Sequence, residues 1–213
     1  NNVESIQKGN SRKFVTKFKH WLRENTLSRS KKNIHAHYDL GNAFYELWLD
    51  PSMTYSSALF QNLEEEHLES AQKNKYQKII ESLNLKSGDN ILEIGCGWGG
   101  FIEHASKLGI NVTGLTISKE QFEYATSRIA NLSGTQKILY QDYRVHEGLY
   151  DAVVSIEMLE AVGSKYWNEY FNSIKGFLKP GSSALVQVIT MHDDYFKTYN
   201  VDPDFIQTYI FPG

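Results

Sequence analysis

From residue 90 onward, short apolar runs alternate with longer stretches that read as helices. Ile91, Leu92 and Ile94 are branched and apolar without interruption, as in a strand buried on both faces. The pattern predicts strand 90–95, helix 98–108, strand 111–116, helix 118–131, strand 136–142, strand 150–158, helix 165–178 and strand 182–190. That alternation predicts an α/β fold built on a doubly wound parallel sheet. Ligands of such sheets bind beyond the carboxyl ends of the strands. The predicted ends carry Glu93, Thr116, Asp142 and Glu157, so polar groups converge there.

Upstream, residues 34–60 are unusually aromatic, with Tyr38, Phe44, Tyr45, Trp48, Tyr55 and Phe60. A helix is expected from Asn42 to Leu49, ending before Asp50-Pro51 because proline disfavours helix in the residue before it. A second runs from Leu68 to Leu83. The chain therefore divides into a basic amphipathic arm and linker (1–33), an N-terminal helical cap over the ligand site (34–84) and an α/β core (85–213).

Charge separates the arm from the rest. The formal net charge is −3, yet residues 1–33 carry nine Lys/Arg and two acids, net +7, leaving net −10 afterwards. Phe14, Phe18, Trp21 and Leu22 recur at helical spacing, with Arg12, Lys13, Lys17, Lys19 and Arg23 mostly between them. Such a helix could lie on an anionic membrane surface, each basic residue adding about 1 kcal/mol. It could equally dock on its own domain or on a neighbour. No nucleic-acid partner is expected, because the remainder is acidic and shows no recognition motif. Cys96 is the single cysteine, which fits a reducing compartment. No apolar run approaches the ~18 residues of a membrane span, and no secretory leader is visible. The expected location is cytoplasmic, peripheral to the inner face of the membrane.

Chemistry enters at Asn90 to Phe101, NILEIGCGWGGF, where a strand meets a turn containing Gly95, Gly97, Gly99 and Gly100. Gly95, Gly97 and Gly100 formally satisfy the dinucleotide fingerprint GxGxxG. A dinucleotide site also wants an acid about 20 residues on to hold the ribose. The next strand, NVTGLT, instead ends in Thr116, Ile117 and Ser118. The acid is Glu93, before the first glycine, matching the (D/E)xGxGxG loop of S-adenosylmethionine (SAM) methyltransferases. An ordinary strand-to-helix turn without a ligand is the remaining alternative. His35 and His37 lack zinc-site spacing with any other ligand, so no metal is expected.

The segments AHYDLGNAFYELWLDPSMTYSSALF, LEIGCGWGGF, GLTISKEQ, QDYR, EAVG and YIFPG follow in this order over roughly residues 30–213. Together they resemble the cyclopropane-fatty-acyl-phospholipid synthase family, which includes the mycolic acid cyclopropane synthases. The resemblance implies a Rossmann-like methyltransferase sheet and a SAM-dependent enzyme acting on the double bond of an unsaturated acyl chain, usually in a phospholipid. It places Tyr55 and Ser56 at the methionine end of SAM, and Glu93, Gly95, Cys96, Gly97 and Gly99 in the cradle. Thr116, Ile117, Ser118 and Gln121 would meet ribose and adenine, while Asp142 accepts from the adenine amino group between Tyr143 and Arg144. The implied chemistry is methyl transfer to an alkene carbon, formation of a carbocation, and proton loss with ring closure.

Glu160 matches the family glutamate that helps hold a bicarbonate base, with Glu157 as a competing candidate. Three neighbours depart from the better-known synthases: Ser57 stands for the cysteine of YSCA, Ala161 for the histidine of EHVG, and Gln187 for a histidine after the fifth strand. Ser57 and Gln187 can hydrogen-bond an anion, but a neutral glutamine cannot take up a proton. The expected catalytic groups are Glu160, Ser57 and Gln187. Family sheets carry two further strands, so the last strands are expected to be missing and strand 182–190 to be an open edge. The expected activity is C-methylation of acyl lipids, with cyclopropanation as the family default. A methyltransferase of a soluble small molecule and a non-catalytic SAM- or lipid-binding relative are the alternatives.

Overall fold

A computed structural model of the chain describes residues 41–195. The basic arm, His35, His37, Tyr38 and the YIFPG segment lie outside the described residues. Helix α1 spans Asn42–Tyr45 and α2 spans Leu68–Ser82. Alternating elements follow: β1 Asn90–Ile94, α3 Gly100–Ser106, β2 Asn111–Thr116, α4 Lys119–Ile129, β3 Lys137–Tyr140, β4 Tyr150–Ile156, α5 Trp167–Phe177 and β5 Leu178–Gln187. The strands lie in the order β3-β2-β1-β4-β5, and every pair is parallel.

Alternate side chains along a strand point to opposite faces, and both faces of this sheet are covered. Ile91 packs with Tyr76, Ile79 and Ile80 of α2 and Phe101 and Ile102 of α3. Leu92 and Ile94 face Tyr170, Ile174 and Phe177 of α5. From β1 the chain winds outward through β2 to β3, then restarts at β4 on the other side. The switch point lies between β1 and β4, where such sheets bind ligands.

Local chemistry sets the element ends. Helix α2 closes in a Schellman motif: the Leu85 N–H donates to Ile80 O and the Asn84 N–H to Glu81 O, both at 3.0 Å, with Asn84 at φ 51°. Helix α1 is shorter than the predicted 42–49, because its continuation tightens into bonds from Leu47 to Phe44 and from Trp48 to Tyr45. Strand β4 stops at Ile156 rather than 158, since Glu157 turns the backbone to φ 48°. Strand β5 starts at Leu178, ahead of the predicted 182. Its pairing jumps from Tyr150↔Leu178 to Ala152↔Ser183, so Pro180-Gly181 bulges out before regular pairing resumes.

Candidate active site

Residues 50–57 are held over the strand ends by a turn of their own and by bonds from two helices, α2 and α4. The Asp50 carboxylate accepts from the Ser52 N–H at 3.0 Å, closing an Asx turn. Arg128 of α4 donates to Ser52 O, to Pro51 O at 2.8 Å and to Trp98 O at 3.2 Å. Helix α2 adds a hydroxyl pair between Tyr76 and Thr54, and Lys75 Nζ donates to Ser56 Oγ at 2.6 Å. Trp98 Nε1 donates to Asn42 Oδ1 at 2.8 Å and so anchors α1.

Under this segment lies a pocket lined by eleven of the thirteen residues expected to bind cofactor: Tyr55, Ser56, Glu93, Gly95, Cys96, Gly97, Thr116, Ile117, Gln121, Asp142 and Tyr143. The other two stand behind the wall. Gly99, at φ 83°, turns the chain into α3, and Ser118 caps α4 by accepting from the Gln121 N–H at 3.3 Å. A Cβ on Gly97 would meet nothing within 4 Å, so the turn leaves open space on the pocket side. Gly100 is the opposite case: a Cβ there would sit 2.8 Å from the Tyr76 hydroxyl and 2.9 Å from Ser52 O.

The polar groups differ in what they can offer. Glu93 is 3% exposed, and its Oε2 has no hydrogen-bond partner. Burial raises its carboxyl to about 8, with Lys75 pulling it part of the way back. Burial likewise lowers Lys75 to about 8, while Glu157, Glu93 and Asp50 favour its charge. The Cys96 thiol is pushed up by burial and stays protonated. Thr116 Oγ1 donates to Gln121 Oε1 at 2.9 Å, which leaves the Gln121 amide nitrogen as a donor. Both Asp142 oxygens are engaged by the Arg144 guanidinium, at 2.9 and 2.6 Å. Burial lifts the Tyr143 hydroxyl to about 12.

The expected catalytic groups divide. Glu157 Oε1 collects the Ser57 N–H at 2.9 Å, the Ser57 hydroxyl at 2.6 Å and Gln187 Nε2 at 2.9 Å. Gln187 Nε2 also donates to Ser57 Oγ at 3.0 Å. Ser57 and Gln187 thus meet on Glu157, which lines the pocket, and not on Glu160. Glu160 lies in a 3-10 turn, Leu159–Ala161. Its Oε1 accepts from the Ile189 N–H, its Oε2 is buried without a partner, and its neighbour Ala161 lines the pocket in its place. Lys75 and Tyr76 escaped the sequence reading because they sit in an ordinary amphipathic helix. Among the described residues no group of three or more His, Cys, Asp or Glu could hold a metal ion, and no helix is long and apolar enough to cross a membrane.

Comparison with known proteins adds to this geometry. A family model described as mycolic acid cyclopropane synthetase matches residues 25–213. A probable fatty acid methyltransferase of Mycobacterium tuberculosis is 41% identical over 188 residues, covering 87% of this chain and 43% of its own. The cyclopropane-fatty-acyl-phospholipid synthase of Escherichia coli K12 is 44% identical over 179 residues, covering 83% and 44%. The solved structure of the mycolic acid cyclopropane synthase CmaA1 complexed with SAH and CTAB superposes with a TM-score of 0.77 at 31% identity, covering 85% of this chain and 68% of that one. The chain spans about half the length of the curated relatives it matches. With a family model matched along nearly its whole length, and the methyltransferase sheet built as in those structures, the chain belongs to the mycolic acid cyclopropane synthetase family.

Proposed function

We propose that this chain carries the catalytic core of a SAM-dependent enzyme that methylates the double bond of an unsaturated phospholipid acyl chain, giving a methylated or cyclopropane product. The observation that carries the reading is one pocket holding both a cofactor cradle and a carboxylate, Glu157, fixed by Ser57 and Gln187. The residues fit SAM. Glu93 Oε2 is buried without a partner and can accept from a cationic group once the carboxyl ionises, Gly97 borders open space, and Gln121 offers an amide to a ribose diol. When bound, SAM supplies a methyl group on a positively charged sulfur.

An alkene is a weak nucleophile, so the protein must contribute alignment, a dry wall and a base. Met158, Val162 and Tyr166 line the pocket beside Glu157 and exclude water from the alkene. The alkene π electrons would form the new carbon–carbon bond as the bond from sulfur to that methyl breaks with its electron pair going to sulfur, leaving a cation on the neighbouring alkene carbon. Glu157, held through Oε1, presents Oε2 to take the proton released as that cation is quenched. Loss of the proton from the added methyl, with closure, gives the ring. Bicarbonate does not fit, because the donors that would hold it, Ser57 and Gln187, converge on the chain's own carboxylate.

Residues 41–84 act as the cap over this site. The substrate chain enters from a lipid surface, on which the exposed Leu47, Trp48, Leu59, Phe60 and Leu63 around the cap settle at the cytoplasmic face of the membrane. Incubation with trideuteromethyl SAM and vesicles of monounsaturated phospholipid, followed by mass analysis of the acyl chains, tests the activity. The expected result is one added labelled carbon, with NMR separating ring from branch; no added carbon on any unsaturated chain overturns the reading.

A further inference from the structure

Lys75 occupies a helix position that normally takes an apolar residue. It is 5% exposed, in a helix whose other buried residues include Ala71, Tyr76, Ile79 and Ile80. An ammonium in such a place is costly unless it is held by hydrogen bonds and opposite charge. Its hydrogen bond goes to a neutral hydroxyl, Ser56 Oγ, at 2.6 Å. Glu157 foremost, with Asp50, supplies the negative field that favours its charge against burial, and Glu93 joins them once its raised carboxyl ionises.

The bond constrains a proton. An ammonium has only donors, so Ser56 must accept from it and direct its own O–H elsewhere. The same helix holds the adjoining backbone, since Gln72 Nε2 donates to Ser56 O at 2.9 Å. Ser56 lines the pocket, as does Glu93, whose Oε2 lacks a donor. One edge of the pocket therefore offers a donor backed by a positive charge, and the other an acceptor. That pairing is complementary to an amino-acid end, with its carboxylate and its ammonium.

We propose that Lys75 is a positioning residue: it makes Ser56 a one-way donor to the carboxylate of the cofactor's amino-acid end, while Glu93 receives the ammonium. The inference rests on the SAM reading above and concerns how the pocket tells SAM-like ligands from plain thioether nucleosides.

Two probes separate the roles. S-adenosylhomocysteine carries the amino-acid end, and 5′-methylthioadenosine lacks it. By calorimetric titration, Lys75→Met should weaken S-adenosylhomocysteine about 10- to 100-fold, the worth of a charge-backed hydrogen bond, and shift methylthioadenosine less than about threefold. Ser56→Ala, which leaves α2 intact, should show the same split, and the double variant should lose little more than either alone. Equal weakening of both probes in Ser56→Ala, or losses that add in the double variant, overturns the proposal however Lys75→Met folds. Failure of the unaltered protein to bind either nucleoside overturns the SAM reading and this inference with it. Tight binding of both probes by the unaltered protein, with the amino-acid end indifferent to Lys75→Met, overturns this inference alone.

Discussion

Glu157 adopts φ 48°, a conformation that costs a residue with a side chain about 1–2 kcal/mol. Such strain persists where the surroundings over-determine it, and the bonds from Ser57 and Gln187 to Oε1 do so here. Glu157→Gln keeps an acceptor on that oxygen and removes the carboxylate proposed above as the base. Product formation should fall by about 100-fold or more while S-adenosylhomocysteine affinity stays within about twofold, as read by labelled-methyl turnover and calorimetry. Glu93 leads to a pH prediction. Its carboxyl, raised to about 8, holds a proton at neutrality, and a cationic ligand favours the carboxylate, so binding releases that proton. Affinity for SAM should therefore tighten as pH rises from about 6 towards 8, by up to about tenfold per unit, and Glu93→Gln should flatten the profile. Glu93 and Thr116 were legible because an acid or hydroxyl at a strand's carboxyl end has few structural reasons to be there. Lys75 was not: in a helix carrying Lys73, Lys75 and Lys78, only the fold distinguishes the buried one.

The elements themselves were readable wherever spacing alone decides them, as in β2, predicted and found at 111–116. They departed where a single backbone conformation overrode the pattern: Glu157 ended β4 early, and Pro180-Gly181 interrupted β5. Asn84 is another such position, and it makes a test. A β-branched residue at φ 51° strains the Schellman closure of α2, so Asn84→Val should lower stability by about 1–2 kcal/mol in chemical denaturation, with little effect on ligand binding. Arg128 works between elements, tying α4 to Pro51, Ser52 and Trp98. Arg128→Ala strips donors from those carbonyls and should cost about 1–3 kcal/mol, with faster hydrogen exchange in residues 52–57 than in β1.

For the molecule as a whole, exposed apolar side chains border the segment that lines the pocket. Leu47 and Leu63 are each 82% exposed and flank the segment that lines the site. Leu47→Asp with Leu63→Asp should reduce co-sedimentation with anionic phospholipid vesicles at least about tenfold, since each buried leucine is worth about 1.5–3 kcal/mol, and should leave S-adenosylhomocysteine affinity unchanged. A parallel, doubly wound sheet was implied by alternation in the sequence, whereas the choice of Glu157 over Glu160 as the carboxylate on which Ser57 and Gln187 meet depends on distant segments and became visible only in the folded chain. The lone thiol offers a last consequence. Cys96 is 4% exposed in the pocket wall, and no other cysteine exists in the chain, so alkylation can proceed only when the site opens. Its labelling rate is thus an intrinsic clock for opening of the pocket, readable by intact mass without an added probe. A bound cofactor should slow that clock by a factor of 1 + [L]/Kd, turning the glycine turn's one reactive atom into a gauge of occupancy.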